Sequence, residues 1–287
     1  MMHASAGRLP SRYAPREPVA VRKPSPVQRS AEVRDAPAAY VTIRQREVDH
    51  VFAGVDWLSA GLMHIQRGVK MLRYGDDTVE VAAGELVWVA PGTRVDIRNV
   101  PHEGEYRAEG LLIAAELLAE TKPTGAAELA RLRRIDAGEH PHLLEAYRRC
   151  IEALTGRFPP DVVRCRVREL VAWMAELRVE MTTPVNARLR VKRLVSSDPA
   201  RGWKLRDVAK ALAMSEDTLH RRLTRERTSF QKVLTEVRMD HAAALLWGTE
   251  LPLGQIALDV GYTSASRFAT RFHERFGLLP SRLRAMR

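Results

Sequence analysis

Residues 187–287 contain a degenerate internal repeat, and nothing else in the chain restricts its folding as tightly. The first copy is Leu205-Arg-Asp-Val208-Ala209-Lys-Ala-Leu212-Ala213-Met214-Ser215-Glu-Asp-Thr-Leu219-His-Arg-Arg-Leu223. The second is Leu253-Gly-Gln-Ile256-Ala257-Leu-Asp-Val260-Gly261-Tyr262-Thr-Ser264-Ala-Ser-Arg-Phe268-Ala-Thr-Arg-Phe272. Val208-Ala209 and Ile256-Ala257 match at an offset of 48, and Leu219/Leu223 match Phe268/Phe272 at 49, so the second turn is one residue longer. Each copy predicts helix, tight turn, helix. Ala209 and Ala257 are small enough to let two helices approach closely. Ala213 and Gly261 fall in the turn, where glycine suits a left-handed backbone and alanine takes it with some strain. Ser215 and Ser264 stand where a hydroxyl caps the next helix, worth about 1 kcal/mol each.

This is the helix-turn-helix pattern, whose second helix enters the major groove of DNA. Between the copies, the run from Ser229 to Trp247 reads as one long helix ended by Gly248 and Pro252. A helix of that length spans about 28 Å at ~1.5 Å per residue. That approaches the ~34 Å repeat of B-DNA, so one chain can set two recognition helices, at about 215–225 and 264–275, into successive major grooves. Charge agrees: the chain carries 46 Lys and Arg against 35 Asp and Glu, a net +11. Residues 187–287 hold 20 basic and 10 acidic side chains, residues 39–186 hold 19 and 22, and residues 1–38 hold 7 and 3. A polyanionic partner for the C-terminal third follows.

Helical periodicity sorts the recognition residues. With Leu219 and Leu223 inward, Glu216, Asp217, His220, Arg221 and Thr224 face outward; with Phe268 and Phe272 inward, Ser266, Arg267, Thr270 and Arg271 do. Arg221 and Arg267 can each present a guanidinium fork to guanine O6 and N7. Asp217 or Glu216 either accepts from cytosine N4 or simply complements the helix dipole. Ser264, Arg225, Arg271 and Arg275 are candidates for phosphate contacts, which position without specifying.

The rest of the chain reads as a tail and a second domain. Residues 1–38 hold six of the 16 prolines and almost no large apolar residue, the composition of a disordered basic tail. Residues 39–182 predict a second, folded domain. From 40 to 115 short β-like runs alternate with Gly, Pro and Asp turns, predicting a β-sandwich or small barrel. The run Leu86-Val87-Trp88-Val89-Ala90 is apolar throughout, as for a strand covered on both faces, and GELVWVAPGTRVDI resembles a cupin-like barrel edge. From 116 to 182 the period turns helical, and Val163, Val167, Leu170, Val171, Met174 and Leu177 line one face. That stripe suits packing on the barrel, a homodimer interface, or both at once. The fold class expected is therefore α+β: a cupin-like β-barrel with a helical pair, then an all-α domain with two helix-turn-helix motifs.

The C-terminal residues resemble the AraC/XylS family of bacterial transcription regulators. The resemblance rests on the doubled helix-turn-helix, Ala257-x-x-x-Gly261-Tyr262-x-Ser264, Phe268-x-x-x-Phe272, Phe276-Gly277, and Pro280 before a short basic helix. It implies promoter control at asymmetric double-stranded DNA sites, RNA polymerase as a partner, a homodimer, and an N-terminal domain that binds a small molecule or protein effector or only dimerises. An activator is expected. One residue departs from the pattern: Arg227 stands where the family commonly has Gly, which puts the pose of the first recognition helix in question.

Other classes fit less well. A nonspecific architectural DNA protein explains the charge but not the two-headed spacing. Metal-dependent barrel enzymes need clustered His and carboxylate ligands, whereas His50, His64 and His102 are scattered and His140-Pro141-His142 reads as a surface turn. With two cysteines, Cys150 and Cys165, there is no cysteine cluster for DNA-repair alkyl transfer, and they read as small core residues. No enzyme activity, metal or cofactor is expected. No apolar run is long enough for a membrane span and the N-terminus lacks the apolar middle of a secretory signal, so a cytoplasmic protein is expected.

Overall fold

A computed structural model describes residues 36–46, 50–121, 129–182, 184 and 186–286. The expected basic tail lies, up to residue 35, outside the described residues. Among the described residues there are nine strands: β1 (Ala38–Arg46), β2 (Val51–Trp57), β3 (Ala60–Arg67), β4 (Val69–Tyr74), β5 (Asp77–Val81), β6 (Leu86–Val89), β7 (Thr93–Val100), β8 (Glu105–Ile113) and β9 (Leu132–Ile135). They form two antiparallel sheets, ordered β1-β8-β3-β6-β9 and β2-β7-β4-β5. Alternation along each strand supplies two cores. Met63, Ile65, Leu72, Val87, Val89, Val95 and Tyr106 point between the sheets. Leu62, Leu86, Trp88, Leu111 and Ile113 point outward from the first sheet, into a second apolar layer.

Helices cover that outer layer. They are α1 (Ala115–Ala119), α2 (Pro141–Thr155) and α3 (Pro160–Glu176). Prolines open α2 and α3 at the first turn, where the missing N–H removes no helical bond. Strand β6 is buried at all four residues, as its sequence requires, because Val87 and Val89 enter the barrel while Leu86 and Trp88 meet the helices. The α3 stripe turns largely inward: Val167, Leu170, Val171 and Met174 are fully buried in the outer apolar layer, each contributing about 1.5–3 kcal/mol, while Val163 and Leu177 are partly buried. Those four side chains are not available to a second chain, whereas Val162 and Trp173 of the same helix are exposed. Strand β9 corrects the purely helical reading of 116–182. Its four residues pair antiparallel with β6, a contact set by the β6 edge rather than by any local β pattern.

The C-terminal half is all helical: α4 (Ala187–Val195), α5 (Leu205–Ala211), α6 (Glu216–Arg225), α7 (Phe230–Gly248), α8 (Leu253–Asp259), α9 (Ala265–Phe276) and α10 (Pro280–Ala285). Two apolar clusters hold it. Val191, Val208, Leu219, Leu223 and Trp203 pack on the N-terminal half of α7 through Val233, Leu234 and Val237. Ile256, Phe268, Phe272, Phe276 and Leu283 pack on its C-terminal half through Met239, Ala242, Leu245 and Leu246. The long helix is thus a wall shared by both repeats.

Candidate nucleic-acid interface

Three helix ends use the same device. At α5, α6 and α8 the second residue beyond the last helical one has positive φ: 54° at Ala213, 53° at Arg227 and 83° at Gly261. The following amides return to the helix, Met214 N to Ala209 O at 2.9 Å, Thr228 N to Leu223 O at 3.0 Å and Tyr262 N to Ala257 O at 2.8 Å. These are Schellman caps, which favour glycine. Only the third has it. Arg227 keeps the left-handed turn that glycine would adopt freely, so the first recognition helix ends in the same kind of cap as the glycine-capped α8.

Each recognition helix opens on a serine. Ser215 Oγ accepts from Thr218 N at 3.2 Å, and Ser264 Oγ accepts from Arg267 N at 3.4 Å and lies 3.0 Å from Ser266 Oγ. The helices α6 and α9 begin one residue inside the expected bounds because these serines are the caps. Leu219, Leu223, Phe268 and Phe272 are at most 2% exposed, and on the other faces Glu216, Asp217, His220, Arg221, Arg225, Ser266, Arg267, Thr270 and Arg271 are all exposed. Thr270 Oγ1 donates back to Ser266 O at 3.0 Å. Arg271 Nη1 pairs with Glu274 at 2.7 Å, and that carboxylate raises the arginine's pKa. Tyr262, Ser266, Arg267, Thr270 and Arg271 line a shallow groove along α9. Its neighbour is lined by Gln231 and Lys232, exposed at the start of α7; their sequence context as part of a capped helix gave no signal for this position.

Arg275 does something else. Its guanidinium donates to Ala53 O at 2.5 Å and Gly54 O at 3.0 Å on β2, and to Asp240 on α7 at 3.0 Å. In this structure it is turned toward the barrel. The reason is a boundary that local periodicity does not register: Asp56 on β2 accepts from Arg188 at 2.6 Å and Lys192 at 2.6 Å, and Glu236 on α7 accepts from Arg188 at 2.6 Å. His50 Nε2 lies 2.7 Å from Phe276 O, Arg46 N donates to Met286 O at 2.7 Å, and the Phe52 and Phe276 rings are 6.2 Å apart. The barrel therefore grips the second repeat directly, at the end of its recognition helix.

Two exposed, capped, basic recognition helices on one shared wall, joined to a β-barrel, define a two-headed helix-turn-helix protein with an N-terminal accessory domain. A family profile described as an AraC-like ligand binding domain matches residues 37–195, and one described as a helix-turn-helix domain matches residues 208–286. The chain belongs to the AraC family. Over 93 residues it is 38% identical to the HTH-type transcriptional activator FapR of Escherichia coli, covering 32% of this chain and 36% of that protein. Over 94 residues it is 37% identical to the HTH-type transcriptional regulator YdeO of Escherichia coli (strain K12), covering 33% and 37%. The matches thus span little more than a third of these curated relatives. Apo ToxT of Vibrio cholerae superposes with a TM-score of 0.65 at 16% identity, covering 88% of this chain and 98% of that one. ToxT with a bound unsaturated fatty acid gives 0.61 at 16% identity, covering 87% and 95%. This second likeness is one of fold, and it extends across both halves.

Among the described residues, no three His, Cys, Asp or Glu side chains are grouped to hold a metal ion, and no helix is long and apolar enough to cross a membrane. Cys150 is buried as expected, its thiol pushed up to about 12 mainly by burial, whereas Cys165 is exposed. The expectation that both are core residues holds for the first alone.

Proposed function

We propose that the protein is a sequence-specific double-stranded DNA-binding transcription regulator, an activator acting at promoters in the cytoplasm, with α6 and α9 in successive major grooves. The observation that carries this reading is the doubling itself: two exposed recognition faces on opposite halves of α7. Arg221 and Arg267 are assigned to guanine. His220, Ser266 and Thr270 share those faces, Glu216 and Asp217 sit at the first turn of α6, and Arg225, Arg271 and Ser264 are assigned to phosphate. Residues 39–182 form the sensing or dimerising domain and residues 187–287 the DNA-binding domain. A homodimer and contact with RNA polymerase complete the proposal. The work is binding, with no catalytic step.

Nuclease protection on genomic fragments tests it. A discrete protected site about two helical turns long is the expected result; a sequence-indifferent coating would instead make the protein an architectural DNA binder.

A further inference from the structure

Four arginines gather on the outer face of the first sheet. Strand register sets Arg107 of β8 directly between Arg44 of β1 and Arg67 of β3, with Arg46 and Glu105 opposed at the next pair on that face. Directly opposed residues share a face, their Cβ atoms about 5 Å apart. That face is outward, because the alternate residues Gln45 and Tyr106 turn inward and are fully buried. Like charges directly opposed across strands destabilise a sheet. Arg67 is compensated: Nη2 meets Glu103 at 2.5 Å, Nη1 meets Glu105 at 3.6 Å, and Nε donates to His102 O at 3.1 Å. Arg44 and Arg107 are not. Among the described residues no carboxylate pairs with either, and Arg107 Nε is buried without a hydrogen-bond partner.

The neighbouring groups frame this row without neutralising it. Glu109, the next outward carboxylate along β8, accepts from the Tyr40 hydroxyl at 3.0 Å and lies 3.6 Å from His64 Nδ1. Helix α2 reaches the sheet there, with the Tyr147 ring 6.0 Å from that of His64. On the other side the end of α10 meets β1, where Arg46 N donates to Met286 O at 2.7 Å. On the strip between, Thr42, Arg44 and Arg46 are exposed, and Arg67 and Arg107 are half-buried. Its four guanidinium groups face the two carboxylates of Glu103 and Glu105, so two positive charges are unmatched.

We propose that this strip binds a phosphate monoester, with the phosphate seated between Arg44 and Arg107. A guanidinium presents two parallel N–H bonds to the edge of a phosphate, and two arginines side by side can hold one phosphate from both flanks. The dianion matches the two unmatched charges, where a carboxylate or a phosphodiester would leave one. It also gives the buried Arg107 Nε–H the acceptor it lacks, while Arg67 stays with its glutamates. The seat lies on the outside of the barrel, on a different domain from both recognition helices, so the proposal stands independently of the regulator reading.

The test titrates full-length protein with phenyl phosphate, and with dimethyl phosphate as the singly charged diester, by calorimetry at constant ionic strength. At pH 8 the monoester is a dianion, because its second pKa is about 6. Phenyl phosphate is expected to bind at least tenfold tighter than dimethyl phosphate and to shift the NMR resonance of the Arg107 Nε–H. Arg44→Gln, at an exposed position, is expected to lower phenyl phosphate affinity at least tenfold with Tm unchanged. Arg107→Lys, which keeps the charge but loses the fork, should also weaken it. Arg73→Gln, on the other sheet and paired with Asp96, should leave it unchanged. Equal binding of the two probes, or undiminished binding by Arg44→Gln, overturns the proposal. So does displacement of phenyl phosphate by random duplex DNA, or its loss in Arg267→Ala, since either puts the anion where the DNA backbone binds. Oligoglutamate binding that needs Arg44, without phenyl phosphate binding, gives the row to an acidic protein segment and overturns it as well. The nuclease-protection assay reads the regulator function separately, so a footprint without phosphate binding sinks this inference alone.

Discussion

Asp56 Oδ2 and Lys192 Nζ stand 2.6 Å apart, and this pair ties the second strand of the barrel to the first helix of the DNA-binding half. Arg188 completes the clasp with two bonds to the same carboxylate, at 2.8 and 2.6 Å. Asp56 is 1% exposed and Lys192 3%, so neither charge is relieved by water if the other is lost.

Asp56→Asn keeps the shape and removes the charge, leaving two largely buried cations short of a partner. A loss of about 3–5 kcal/mol in domain coupling is expected. Calorimetry should show one wild-type transition splitting into two; an unchanged single transition would show that the clasp does not couple the halves.

The same carboxylate sets an acid limit. Burial pushes Asp56 up, but the hydrogen bonds and charges of Arg188 and Lys192 override it and hold the pKa at about 2, against an ordinary 3.8. A depressed folded pKa contributes stability that is full above the ordinary value and is lost as pH falls toward the folded one. Coupling should therefore weaken from about pH 4 downward in the wild type, and Asp56→Asn should be insensitive over that interval.

Arg227 offers a stabilising change. A left-handed non-glycine residue costs about 1–2 kcal/mol, and glycine returns part of that through its freer unfolded chain. Arg227→Gly should gain about 0.5–1 kcal/mol in urea unfolding, and Ala213→Gly should behave alike. A loss in both would mean that the caps are not under strain.

For DNA, Arg221→Ala and Arg267→Ala should each cost about 1–3 kcal/mol on the cognate site and relax preference at one base pair. Arg271→Ala should weaken cognate and random duplex alike and flatten the log K against log[salt] slope by about one. Arg275→Ala should change the calorimetric coupling of the halves and leave base preference intact, because its partners are Ala53, Gly54 and Asp240. Proportional losses for all four variants would sink these assignments.

Lys70 on β4, 1% exposed beside Asn99 and Tyr106, predicts a dependence of the opposite sense. Its folded pKa of about 7 lies below the ordinary 10.5, so the folded state binds fewer protons than the unfolded one. Its penalty is full below about pH 7 and fades as pH rises toward 10.5. Wild-type stability should gain a rising contribution across that interval, absent in Lys70→Met; identical slopes would show Lys70 to be paired in solution.

What the sequence revealed follows the range of the interactions. Ser215, Ser264 and the Leu219/Leu223 and Phe268/Phe272 pairs were legible because caps and helical faces are decided within a few residues. The buried β6 run was legible for the same reason. Arg275 was assigned to phosphate, yet its partners on β2 lie more than 220 residues away, and no local pattern encodes them. The Asp56 clasp, the β9 pairing and the Lys70 cluster are likewise products of tertiary juxtaposition. The α3 stripe shows the complementary difficulty, since an apolar face is the same whether a sheet or another chain covers it.

The shared wall makes the protein a fixed-gauge instrument. Both heads are mounted on α7, whose 19 residues run unbroken from Phe230 to Gly248. Each residue inserted there would advance one mount by about 1.5 Å and swing it through about 100°. Target spacing thus cannot drift by single steps in the protein without wrecking the alignment of one head. Where a site departs from the gauge, the strain passes to the duplex, which must bend or twist to fit, and sequences that bend easily are favoured at base pairs that no side chain touches.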